Sequence, residues 1–150
     1  DYTYSALVRH RDHFYVATLG RIDLDFVGAI YRVARDGSSV ERIAGGLHGV
    51  LGLAFDRSGR MYALETTASG VAPPLSDPTA GRLVRVESDG SLTPLLTGLS
   101  FPTSLVAGRD GSFYLSNCGY HCDDPATGTS LAAGQVLRVT IDGALAEAGD

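Results

Sequence analysis

The sequence predicts an all-β chain: a β-propeller fragment of about three four-stranded blades, part of a six-bladed propeller. Three observations predict it. An internal repeat recurs every 53 residues, tight-turn signals punctuate each copy, and no segment keeps a 3.6-residue apolar period.

The repeat has four landmarks in constant order. Gly28-Ala-Ile-Tyr-Arg-Val33, Gly81-Arg-Leu-Val-Arg-Val86 and Gly134-Gln-Val-Leu-Arg-Val139 superimpose, their first glycines 53 residues apart each time. Each is followed by Asp-Gly, at Asp36-Gly37, Asp89-Gly90 and Asp142-Gly143. A second triplet is Phe14-Tyr-Val-Ala-Thr18, Met61-Tyr-Ala-Leu-Glu65 and Phe113-Tyr-Leu-Ser-Asn117. Gly46-Leu47-His48 matches Gly98-Leu99-Ser100. The blades are expected at about 1–45, 46–97 and 98–150, the last incomplete.

Each unit reads as four short strands. In the second they are roughly Val50–Phe55, Met61–Thr66, Arg82–Glu87 and Leu92–Leu96. Asp-Gly between apolar runs signals a two-residue hairpin of type I′, where both central residues need positive φ. The strands are apolar and alternate only weakly, as in a sheet buried on both faces. Gly and Ala in Leu51-Gly-Leu-Ala54 and Val106-Ala-Gly108 suit an innermost strand, where blades crowd the axis. A four-stranded unit of this length is a blade period, whereas the rungs of a rival β-solenoid are much shorter. Three blades leave two apolar faces open, to be covered by further blades or by an oligomer.

Composition narrows the partners. The chain has 150 residues, 44% hydrophobic and 19% charged, a folded composition. A net charge of −5 argues against nucleic acid, which requires a basic stripe. No apolar run approaches a membrane span. The sequence starts at Asp1, inside the first expected strand, as expected of a processed or excised chain.

The loops entering the third strands run Leu19–Val27, Thr67–Ala80 and Cys118–Ala133, while the opposite rim has only tight turns. Loops carry function on a rigid scaffold, so the long-loop rim is the expected working surface, for a small molecule, glycan or protein. His48, Phe101 and His121 are its candidate ligand-binding residues, although His48 also suits loop packing and Phe101-Pro102 suits the turn into the next strand. His10 and His13 flank a tight turn on the other rim and are expected to face solvent. Thr18, Glu65 and Asn117 end the three second strands in equivalent positions. A carboxylate and an amide oxygen converging there suit a divalent cation, calcium or zinc, with Glu65 and Asn117 as ligands. The competing role for both is to hydrogen-bond loop backbone.

Cys118 and Cys122 fall in one loop, Asn117-Cys-Gly-Tyr-His-Cys-Asp-Asp124. A local disulfide would stabilise by about 2 kcal/mol and place the chain in an extracellular or periplasmic compartment. A metal site with His121 and Asp123 or Asp124 is a second reading, but structural zinc uses two separated ligand pairs. Free thiols are the third. No phosphate loop, Gly-x-Ser-x-Gly elbow or His-Glu-x-x-His motif occurs, so no catalytic residue is assigned.

Phe14-Tyr-Val-Ala-Thr-Leu19, Gly28-Ala-Ile-Tyr-Arg-Val33, Gly98-Leu-Ser-Phe-Pro-Thr103 and Phe113-Tyr-Leu-Ser-Asn117 resemble the ScyD/ScyE family, which takes its name from the scytonemin gene cluster. The resemblance implies a secreted propeller of NHL or SMP-30-like type without an assigned activity. The chain would be about half of a typical member. The broader SMP-30/gluconolactonase group implies the alternative, a metal-dependent lactonase with Glu, Asn and Asp ligands. Glu65 and Asn117 suit two of these, but no matching Asp ends a strand.

Overall fold

A computed structural model of the protein describes residues 3–20, 27–67, 79–118, 134–140 and 145–147, the last three as backbone. The described elements are twelve strands in three antiparallel four-stranded sheets. The first sheet holds β1 (Tyr4–His10), β2 (His13–Thr18), β3 (Val27–Ala34) and β4 (Val40–His48), paired in chain order. The second holds β5 (Val50–Phe55), β6 (Met61–Glu65), β7 (Gly81–Val86) and β8 (Leu92–Leu99). The third holds β9 (Ser104–Ala107), β10 (Phe113–Asn117), β11 (Gln135–Val139) and β12 (Leu145–Glu147). Irregularities recur in register: the first two sheets share bulges at Gly28/Ala29 and Gly81/Arg82, and again at Ile30/Tyr31 and Leu83/Val84. Pro94 sits in β8, an edge strand, where a missing N–H costs least.

The sheets stack face to face, with two cores between them. Ala17, Ile30, Leu47, Leu53, Ala63 and Val84 belong to the core between the first and second sheets. Tyr62, Leu64, Leu83, Leu105, Phe113 and Leu115 belong to the core between the second and third. Successive residues of β6 alternate between them, Met61 and Ala63 toward the first, Tyr62 and Leu64 toward the second. The weak apolar alternation of this strand follows: both of its faces are covered. The inner strands β1, β5 and β9 lie side by side. A Cβ at Gly52 would stand 2.7 Å from the Leu105 Cβ, so glycine permits the approach of β5 to β9.

The Asp-Gly hairpins differ from the type I′ expectation. Gly37 and Gly90 have φ of 75° and 83°, but Asp36 and Asp89 do not have positive φ. The Gly37 N–H donates to the Ala34 carbonyl and the Gly90 N–H to that of Glu87, both turns closing with left-handed glycine. This is a type I turn followed by a glycine bulge. The aspartates act through their side chains: Asp36 Oδ1 accepts the Ser38 N–H and Asp89 Oδ1 the Ser91 N–H. Asp142-Gly143 lies outside the described residues. The Arg11-Asp12 turn instead places a non-glycine residue, Arg11, at φ 53°.

Candidate functional site

The strand-two ends and the chain entering the next inner strand meet at one rim, as the strand order requires. The side chains of Glu65 and Asn117 make that junction. Glu65 Oε1 accepts the backbone N–H of His48 at 2.6 Å, and Asn117 Oδ1 accepts that of Ser100 at 2.7 Å. His48 and Ser100 are equivalent in the repeat, so the two bonds are copies of one device. Each latch residue also reaches its partner across the ladder. Arg82 Nε donates to Glu65 Oε2 at 2.5 Å, and Asn117 Nδ2 donates to Gln135 Oε1 at 3.0 Å. Glu65 faces Arg82, and Asn117 faces Gln135, in directly opposed register. In the first sheet Thr18 closes on strand three instead: its Oγ1 accepts the Ala29 N–H at 3.0 Å.

The three equivalent sites therefore carry an ion pair, an amide pair and a hydroxyl–backbone contact. Glu65 is fully buried and Asn117 and Thr18 are buried. Both Glu65 oxygens already have partners, one of them a guanidinium. A cation there would have to displace Arg82 and compete with its charge. Among the described residues no group of three His, Cys, Asp or Glu side chains is placed to hold a metal. Glu65 and Asn117 thus do not by themselves form the cation site that an SMP-30-like propeller implies. Arg82 and Gln135 were not singled out from the sequence. Their signal is internal: the strand-two ending changes Thr, Glu, Asn as the strand-three partner changes Ala29, Arg82, Gln135.

The other candidates separate. His48 is half-buried and ends β4 rather than standing in a loop. Phe101 is buried with φ 41°, so its ring packs inward and does not offer an open platform. Its place before Pro102 fits the turn into β9. His121 and Cys122 lie outside the described residues, as does most of the three long loops. Cys118 is buried at φ 60°, its N–H donating to the Ser100 carbonyl at 2.5 Å.

On the opposite rim, His10 does not face solvent freely. It stacks on Phe55 of the second sheet with ring centres 4.1 Å apart, and Tyr15 meets the same ring edge-on at 4.7 Å. Burial, then the charge of Arg11, lowers its pKa, with Asp56 opposing. His13 is also half-buried. Tyr62 bridges the sheets there: its ring tilts against Phe113 at 4.5 Å while its hydroxyl donates to Asp56 Oδ2 at 3.0 Å. Burial and that carboxylate push its phenol up to about 12.

No family model matches the chain, and no curated protein matches it. Solved structures do. A gluconolactonase from Xanthomonas campestris matches with TM-score 0.68 and 19% identity over 99% of this chain and 47% of its own. A protein proposed to be a gluconolactonase matches with TM-score 0.65 and 19% identity, over 97% of this chain and 48% of its own. A proposed glucose dehydrogenase-type oxidoreductase from a Thermus species matches with TM-score 0.62 and 21% identity, over 94% and 44%. The chain thus spans less than half the length of these structures. Their names cover more than one chemistry, so the likeness carries architecture, not activity. The twelve strands form β-propeller blades of the kind found in the gluconolactonase-like propellers.

Proposed function

We propose that this chain contributes part of a gluconolactonase-type hydrolase, acting on a small cyclic ester at the long-loop rim. What supports the reading is the match to a Xanthomonas campestris gluconolactonase over 99% of the chain, with the polar strand-two ends gathered at a single rim. In this reading Glu65 and Asn117 are positioning residues. They fix the backbone at His48 and Ser100, and so hold the chain entering β5 and β9 at the mouth of the site. The groups that attack the ester would come from the long loops or from further blades. The test is hydrolysis of a sugar lactone by the full-length protein, in chelator and then with calcium or zinc. Turnover above the uncatalysed rate is expected. A folded protein with no turnover under any of these conditions would remove the hydrolase reading.

The commitment of both Glu65 oxygens favours a second reading, a binding propeller of the ScyD/ScyE type without catalysis. It would take a small molecule, glycan or protein on the same rim. It would work outside the cytosol with Cys118 and Cys122 joined. A thermal melt separates the readings. A cation at about 100 times its Kd would stabilise the protein by about 2.7 kcal/mol, whereas the binding propeller should melt unchanged. Thiol labelling of the unfolded, unreduced protein should modify neither cysteine if the disulfide is present.

A further inference from the structure

The turns between β1 and β2, β5 and β6, and β9 and β10 each hold one left-handed residue. In the second and third it is glycine, Gly59 at φ 82° and Gly111 at φ 88°, whereas in the first it is Arg11 at φ 53°. Glycine takes this conformation freely and arginine does not. Such strain at an exposed residue points to a task for its side chain.

That side chain turns to the neighbouring blade. A Cβ built on Gly59 would lie 3.5 Å from Arg11 Nη2 and 3.5 Å from His10 Nε2. Two nitrogens from adjacent residues of one turn thus converge on a space that glycine leaves open over the other. Stacking on Phe55 covers a face of the His10 ring and leaves its edge to point there. Among the described residues neither side chain has a hydrogen-bond or ion-pair partner. The same space over Gly111 has nothing within 4 Å, so the convergence belongs to the junction of the first two blades.

The charges around this space favour an anion. Asp56 bears on His10, but its carboxylate is committed: Oδ1 accepts the Ser58 and Arg60 N–H groups, and Oδ2 accepts Arg60 Nε and the Tyr62 hydroxyl. Arg57 and Arg60 add exposed cations on the second turn, and Arg9 adds one on the first, against Asp12 there. Tyr15, edge-on to the His10 ring, brings no charge.

We propose that the His10–Arg11 turn binds a free tetrahedral oxyanion, sulfate or phosphate, with one oxygen seated over Gly59 between His10 Nε2 and Arg11 Nη2. Guanidinium and imidazolium N–H groups make charge-assisted bonds to such oxygens. The surplus of arginines favours a doubly charged anion over a singly charged one. Burial first, then the like charge of Arg11, lowers the His10 pKa, and an anion between the two side chains offsets the second cause.

The test follows the His10 imidazole resonance of the full-length protein, identified by its loss in His10→Phe, as sodium sulfate replaces sodium chloride at constant ionic strength. Sulfate keeps its double charge at about pH 6, where the imidazole titrates. The expected result is a saturable shift together with a higher His10 pKa, neither of which chloride produces. Arg11→Asn suits the left-handed turn and should stay folded, while it weakens sulfate about tenfold through loss of a charged hydrogen bond. A response that chloride reproduces at equal ionic strength would overturn the proposal, because screening alone would explain it. A folded Arg11→Asn protein that binds sulfate as tightly as wild type would overturn it too.

Discussion

Arg82 donates to Glu65 at 2.5 Å from a guanidinium only partly exposed, while the Glu65 carboxylate is wholly buried. Removing one partner leaves the other with an unmet polar group, and the cost of that exceeds the net worth of the pair. Glu65→Asn and Arg82→Gln should each destabilise the chain by about 2 kcal/mol. The double change Glu65→Asn with Arg82→Gln installs the third blade's pair in the second blade. It should recover at least half of that loss in a urea-denaturation cycle. A double variant as unstable as the sum of its singles would show that the two latches are not equivalent.

The blade junction at Gly52 has no room for a side chain, since its Cβ would meet the Leu105 backbone nitrogen at 3.0 Å as well as the Leu105 Cβ. Gly52→Ala should cost about 1–3 kcal/mol by overpacking. Leu105→Ala keeps the Cβ and backbone nitrogen that the new methyl would meet, so Gly52→Ala with Leu105→Ala should remain shifted to lower urea. A neutral Gly52→Ala would mean that β5 and β9 stand further apart.

Arg11 holds a conformation that costs an ordinary residue about 1–2 kcal/mol. Arg11→Asn keeps the side chain polar and tolerates the left-handed region better. It should stabilise by about 0.5 kcal/mol, read as a higher urea midpoint at unchanged slope. A lower midpoint would place the strain elsewhere.

His10 gives a pH dependence whose sign follows from its lowered pKa. The folded state releases the imidazole proton more readily than the unfolded chain, so below the ordinary imidazole value the unfolded state binds more protons. The His10 contribution is therefore complete above pH about 6.5 and is lost as pH falls through the lower, folded value. Thermal melts of wild type and His10→Phe should differ in slope across this window, with the variant flatter. Parallel curves would show that the Phe55 stack is not coupled to titration.

The number of sheets, the strand limits to within a few residues and the rim that gathers the strand-two ends were all readable from the repeat. A 53-residue period repeated at every landmark leaves little freedom in strand order. The turns were misread because Asp-Gly is common to two hairpin geometries. What separates them is loop length and the bond from Asp36 to the Ser38 N–H, not the dipeptide. His10 was misread because alternation tells which face of β1 a residue occupies, but not that Phe55 waits opposite. Arg82 and Gln135 were readable in principle from how their partners change between repeats.

One packing rule holds at both blade interfaces: Leu53 and Leu105, equivalent in the repeat, each fill the core shared with the preceding sheet. Urea unfolding of Leu53→Ala and Leu105→Ala measures it directly, because these residues fill the same position in separate cores. Both substitutions should cost about 2–5 kcal/mol, and nearly equal amounts. A cost below about 1 kcal/mol for either one would contradict the rule, since a leucine that small in effect cannot be the anchor of a blade interface.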